Sequence, residues 1–228
     1  MVSMAASKTR RPVAVDAELD EPLSRWLWLV KWILLIPHYL VLFLLWCAFL
    51  VVSVVAFFAI LFTARYPRPL FDFNVGVLRW SWRVAFYSTG AFATDRYPPF
   101  SLDREPDYPA RLDIGYPERL SRGLVLVKWW LLAIPHYIVI AFFAGGGGSG
   151  GGAEGQWFWS AGLITVLAFI AIIAKAFTRT YPKGLFDLIV GLNRWVLRVV
   201  AYAALMTDVY PPFRLDMGGS EPRPERAP

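Results

Sequence analysis

The 228-residue sequence predicts an all-α integral membrane protein of two tandem repeats. Each repeat is read as a transmembrane helical hairpin plus an amphipathic interfacial helix, four spans in all. Three observations carry this reading. Apolar residues make up 57% of the chain and charged residues only 18%, against about 25% charged in a soluble domain. The chain aligns with itself over most of its length. The Lys and Arg residues gather at one set of helix ends. The 11 Trp and 10 Tyr match the aromatic belts that bilayer proteins place at the interface.

Residues 1–22 are polar and without periodicity, so they read as a disordered cytoplasmic tail. No cleavable signal is apparent, because the first apolar run is too long and lacks a small-residue cleavage site. Repeat 1 covers 23–103 and repeat 2 covers 120–216. They open on LSRWLWLVKW at Leu23 and LSRGLVLVKW at Leu120, and both reach Pro-His-Tyr, at Pro37 and Pro135. Later, Tyr66-Pro67 through Leu70-Phe71-Asp72 matches Tyr181-Pro182 through Leu185-Phe186-Asp187. Gly76, Arg79, Trp80, Arg83 and Tyr87 match Gly191, Arg194, Trp195, Arg198 and Tyr202. Both copies close on Asp-x-Tyr-Pro-Pro-Phe, at Asp95–Phe100 and Asp208–Phe213. Detail of this kind implies two similar units related by a pseudo-two-fold axis.

The copies differ between Pro-His and Phe-Thr: 25 residues separate Pro37 from Phe62, and 42 separate Pro135 from Phe177. The 17 extra residues include the Gly-rich stretch 145–155, read as an outer loop. Insertions survive in exposed loops, so the matching place in repeat 1, Trp46-Cys47-Ala48, is expected to be a tight turn. Leu23–Phe62 then becomes a hairpin with arms near Arg25–Leu45 and Cys47–Ala64. The second pair of arms is Arg122–Ala144 and Gln156–Phe177. Under this topology no Lys or Arg falls in an outer turn, and both termini are cytoplasmic.

The segments Leu70–Thr94 and Leu185–Thr207 carry their polar residues on one stripe, Asp72, Gly76, Arg79, Arg83 and Tyr87 in the first copy. That periodicity reads as a helix lying in the interface. Arg79, Arg83, Arg194 and Arg198 are then expected to contact anionic lipid headgroups or a protein partner. The polar, Pro-punctuated segment 104–119 reads as a cytoplasmic linker, and 217–228 as a second disordered tail.

The histidines, His38 and His136, occupy one repeat position. Two symmetric imidazoles could hold one haem b iron through both axial sites. The bland alternative is a histidine that satisfies a carbonyl freed by the preceding proline. Asp72 and Asp187 read as residues favouring a helix N-terminus. Asp95, Asp103, Asp208 and Asp216 read as caps and turns, or as a cation site near headgroups. Cys47 has no second cysteine to pair with. No nucleophile triad, phosphate loop, zinc spacing or nucleotide fingerprint is present, and the basic residues form no nucleic-acid module.

The Pro-His, Tyr-Pro-x-x-Leu-Phe-Asp and Asp-x-Tyr-Pro-Pro-Phe signatures resemble those of a family of bacterial multi-pass membrane proteins of unknown function, often in tandem. The resemblance covers about 23–103 and 120–216 and implies no activity, catalytic residue or cofactor. The Gly-rich insert departs from it. The expected function is therefore that of a non-catalytic accessory or scaffold protein of the cytoplasmic membrane. Its expected partners are an anionic bilayer and a membrane protein or a second copy. A bis-histidine haem b electron-transfer protein and a small transporter are the alternatives.

Overall fold

A computed structural model describes residues 12–24, 26–144, 162–178 and 180–218. The Gly-rich stretch 145–155 and residues 219–228 lie outside the described residues. The order is β1 (Val13–Ala17), α1 (Leu27–Leu34), α2 (Ile36–Thr63), α3 (Arg68–Tyr87), β2 (Ala110–Ile114), α4 (Arg122–Val127), a π-helical turn (Lys128–Leu132), α5 (Ile134–Ala144), α6 (Leu163–Thr178) and α7 (Lys183–Ala203).

Helix α2 runs unbroken for 28 residues, about 42 Å at 1.5 Å per residue. It passes straight through Trp46-Cys47-Ala48, so the expected turn, the repeat 1 hairpin and the four-span count are corrected. The reason is local: residues 38–62 contain no Gly or Pro, and nothing there reverses the chain. The break falls earlier, at Leu35, where Pro37 cannot donate a backbone hydrogen bond. By length and composition, α2 is long and apolar enough to cross a membrane. The bent pair Arg122–Leu132 and Ile134–Phe143, with 44° between its parts, would count as a second such span.

The second half repeats this line with two changes. Lys31 to Pro37 is six residues and Lys128 to Pro135 is seven, and the π-helical turn Lys128–Leu132 absorbs the extra residue. With Pro135 set on Pro37, α5 corresponds to α2 up to Trp46. With Phe177 set on Phe62, α6 corresponds to α2 from Ala48 onward. The insertion thus replaces one residue in the middle of a helix, not a loop.

Strands β1 and β2 form an antiparallel ribbon with Val15 opposite Leu112. These residues are 97 apart, the spacing that also separates Leu23 from Leu120 and Lys31 from Lys128. All five residues of β1 are buried. The expectation of a disordered tail over 1–22 is therefore corrected for Val13–Ala17, and the linker 104–119 carries β2. Helices α3 and α7 pack between the ribbon and the apolar helices, and most of their residues are buried. They are not interfacial helices resting on lipid.

The halves also meet at the helix ends. The Leu120 N–H donates to the Ala64 carbonyl at 2.9 Å, joining the end of α2 to the start of α4. Lys175 of α6 donates to the Ser24 carbonyl at 3.1 Å, and Trp32 of α1 stacks on Phe169 of α6. So α1 and α6 lie side by side in opposite directions.

Candidate functional site

Each half holds one histidine inside an aromatic cage. His38 and His136 are both fully buried. His38 Nδ1 accepts a hydrogen bond from Trp80 Nε1 at 3.0 Å, and His136 Nδ1 accepts one from Trp195 Nε1 at 3.2 Å. An Nδ1 that accepts has no proton, so both rings are the neutral tautomer protonated on Nε2. The rings stack on Phe100 and Phe213, with centroids 3.9 and 4.2 Å apart, and Tyr97 and Tyr210 lean on them. Nε2 of each ring is buried without a hydrogen-bond partner among the described residues.

This geometry explains the Tyr-Pro-Pro-Phe closure. Its Tyr and Phe fasten the chain that returns from α3 or α7 onto the start of the long apolar helix. Tyr97 adds a hydrogen bond from its hydroxyl to the Leu34 carbonyl at 2.9 Å. Each Nδ1 is engaged by a tryptophan, and the two cages share no residue.

The Asp of the same closure holds a buried lysine. Lys31 lies 3.0 Å from Asp95 and donates to the Thr94 carbonyl at 2.6 Å. Lys128 lies 2.7 Å from Asp208 and donates to the Thr207 carbonyl at 3.0 Å. Each Asp also accepts from a backbone N–H just ahead of the first helix of its half, Ser24 N in one half and Ser121 N in the other. The lysine ammonium groups sit over the Tyr87 and Tyr202 rings, 4.5 and 5.6 Å from the centroids. Both buried lysines are thus neutralised internally. Asp95 and Asp208 each hold a lysine, and so do not join Asp103 and Asp216 in one cation site.

The four arginines of the polar stripe also turn inward. Arg79 donates to the Leu112 carbonyl at 2.9 Å and pairs with Asp113 at 3.1 Å. Arg83 donates to the carbonyls of Ser101 and Asp103. Arg194 donates to the carbonyls of Val15 at 2.8 Å, Asp216 at 2.9 Å and Gly218 at 2.6 Å. Arg198 pairs with Asp216 at 2.6 Å. Arg79 and Arg194 thus grip the two central residues of the ribbon, Leu112 and Val15. Their expected contact with lipid headgroups or a partner is corrected, because the return segments and the ribbon cover the stripe. Gly76 lets this happen: a Cβ there would stand 2.8 Å from Leu102 Cβ.

Burial shapes the ionisation of this layer. It pushes the Tyr66 hydroxyl up to about 12, against the opposing hydrogen bonds of Asn74 and Ser53. Tyr87 is raised to about 12 by burial and then by the Asp95 charge. Tyr108 and Tyr181 are also raised by burial. Burial lowers Arg79, opposed by Asp113, and lowers Arg83 as well.

Sequence spacing points to the histidines and arginines but not to Trp80, Trp195, Phe100 and Phe213, which pack around the histidines. Their recurrence at equivalent positions was the available signal. Comparison with curated proteins finds no match, and neither does comparison with solved structures. One family model matches residues 25–101 and 157–214, each segment holding one histidine-closing Asp-x-Tyr-Pro-Pro-Phe run. With more than half of its residues matched, the chain belongs to the family described as a domain of unknown function, DUF4389.

Proposed function

We propose that this chain is a non-catalytic accessory or scaffold protein of the cytoplasmic membrane. Its two halves are tandem repeats, each clasped onto the other through the ribbon, and both termini are cytoplasmic. The observation that carries the reading is the bare flank of α2. Only 17% of its most apolar window is buried inside the molecule, while Leu40, Phe43, Leu50, Val51, Val54 and Phe58 stand more than half exposed. A soluble protein rarely leaves so large a contiguous apolar face uncovered. Acyl chains, or the side of a larger membrane assembly, cover such a face.

The inward orientation of the chemistry-bearing residues fits the same reading. The lysines, arginines and histidines described above engage the chain's own carbonyls, carboxylates and aromatic rings. They hold the fold rather than await a substrate. The test is extraction in a mild detergent, followed by sizing and mass spectrometry. Migration with a defined membrane partner, or as a self-associated species, is expected. A lone monomer without any co-purifying subunit would overturn the assembly part of the proposal.

A further inference from the structure

We propose that the chain enters the membrane from one face only. In this arrangement α2 and the α4–α6 line lie along the cytoplasmic leaflet, and Arg65, Arg68, Arg119 and Arg122 rest on anionic phospholipid headgroups. This rests on the membrane reading and fixes its geometry.

The first support is where the ribbon lies. Its centre pairs Val15 with Leu112, residues at equivalent positions of the two halves. The operation that exchanges the halves passes through that pair. It also exchanges the Ala64–Leu120 junction with the one near Ser24 and Lys175. The ribbon is therefore midway between the two ends of the long helical line. If α2 crossed the bilayer, the ribbon would sit at mid-membrane depth. Arg104 and Glu18, which pair with the ribbon residues Asp113 and Arg111, are 48% and 63% exposed there, and exposed charge at that depth is strongly disfavoured. An axis along the bilayer normal removes this conflict and puts ribbon and return segments in water.

The second support is the charge at the helix ends. The Leu120–Ala64 hydrogen bond brings Arg119 and Arg122 beside Arg65. Tyr116 donates to the Tyr66 carbonyl and carries Arg68 over its ring, 4.8 Å from the centroid. All four arginines are exposed and have no ion pair among the described residues; Glu118 is the exposed carboxylate in the same segment. The opposite end of the line leads to exposed Lys183 at the start of α7. A crossing helix would put basic residues on both sides of the membrane, against the usual cytoplasmic bias. A helix along the surface keeps both ends on one side.

The test labels the two ends. Arg65→Cys and Thr180→Cys, equivalent exposed positions, are made separately in a Cys47→Ser background. Each is reacted with a membrane-impermeant maleimide in right-side-out and inside-out vesicles. Labelling of both from the inside face only is expected. Labelling of the two from opposite faces overturns the proposal. Labelling of both in either vesicle type, with release by salt, overturns the membrane reading itself. In a second arm, Arg→Gln at positions 65, 68, 119 and 122 is compared for insertion into phosphatidylglycerol-containing and pure phosphatidylcholine vesicles. Each arginine is expected to contribute about fivefold to the anionic preference. An unchanged preference in the quadruple variant overturns the headgroup assignment.

Discussion

Replacing Asp95 by Asn removes a charge while keeping the side-chain oxygen that accepts from Ser24 N. Lys31, 1% exposed, is left with the Thr94 carbonyl and the Tyr87 ring but no counter-charge. Breaking one partner of a buried pair costs about 3–5 kcal/mol. The Asp95 side chain is 24% exposed, so water recovers part of the loss and the lower end, about 3 kcal/mol, applies. For a chain of this size that is a fall of roughly 6–12 °C in the thermal midpoint, read by intrinsic fluorescence in detergent. The double variant Lys31→Met, Asp95→Asn removes both charges and is expected to regain most of the loss, since apolar replacements of buried pairs are often neutral. A single-variant shift below about 2 °C, or a double variant no better than the single, would refute the claim that the pair is energetically buried. The second copy, Lys128 with Asp208, is expected to respond in the same direction.

The matched glycines are expected to behave differently. Gly76→Ala drives a Cβ to 2.8 Å from Leu102 Cβ and 3.0 Å from its carbonyl oxygen, a destabilisation of about 1–3 kcal/mol by overpacking in the same thermal assay. Gly191→Ala meets its first neighbours only at 3.4 Å, ordinary contact, and is expected to shift the midpoint little; an equal loss at both sites would refute the difference.

Much of this architecture was legible as pattern, and less as geometry. The closure Asp95–Phe100 and its copy were visible as repeated motifs, yet only the fold joins their Asp to Lys31 and their Tyr and Phe to His38. The three- and four-residue spacing of Asp72, Gly76, Arg79, Arg83 and Tyr87 located one helix face. Spacing identifies a face but not what covers it, so arginines held by carbonyls of 101–103 and 112 looked free to meet lipid. The ribbon escaped notice because VAVDA is five residues long and its partner lies 97 residues on; short strands gain definition only from their pairing. The hairpin expectation failed on the insertion. Its polar composition implied a loop in both copies, whereas the uninterrupted apolar run of α2 continues the helix where the insertion is lacking.

Cys47 allows the most direct test of the bare apolar flank. It is the chain's single cysteine, it is exposed, and it sits near the middle of α2. A nitroxide attached there in protein reconstituted into phospholipid vesicles reports collisions with oxygen, which partitions into acyl chains, and with a water-soluble nickel chelate. High oxygen accessibility with low nickel accessibility is expected if lipid covers this flank. High nickel accessibility, unchanged when the vesicles are dissolved in detergent, would place the flank in water and contradict the membrane assignment.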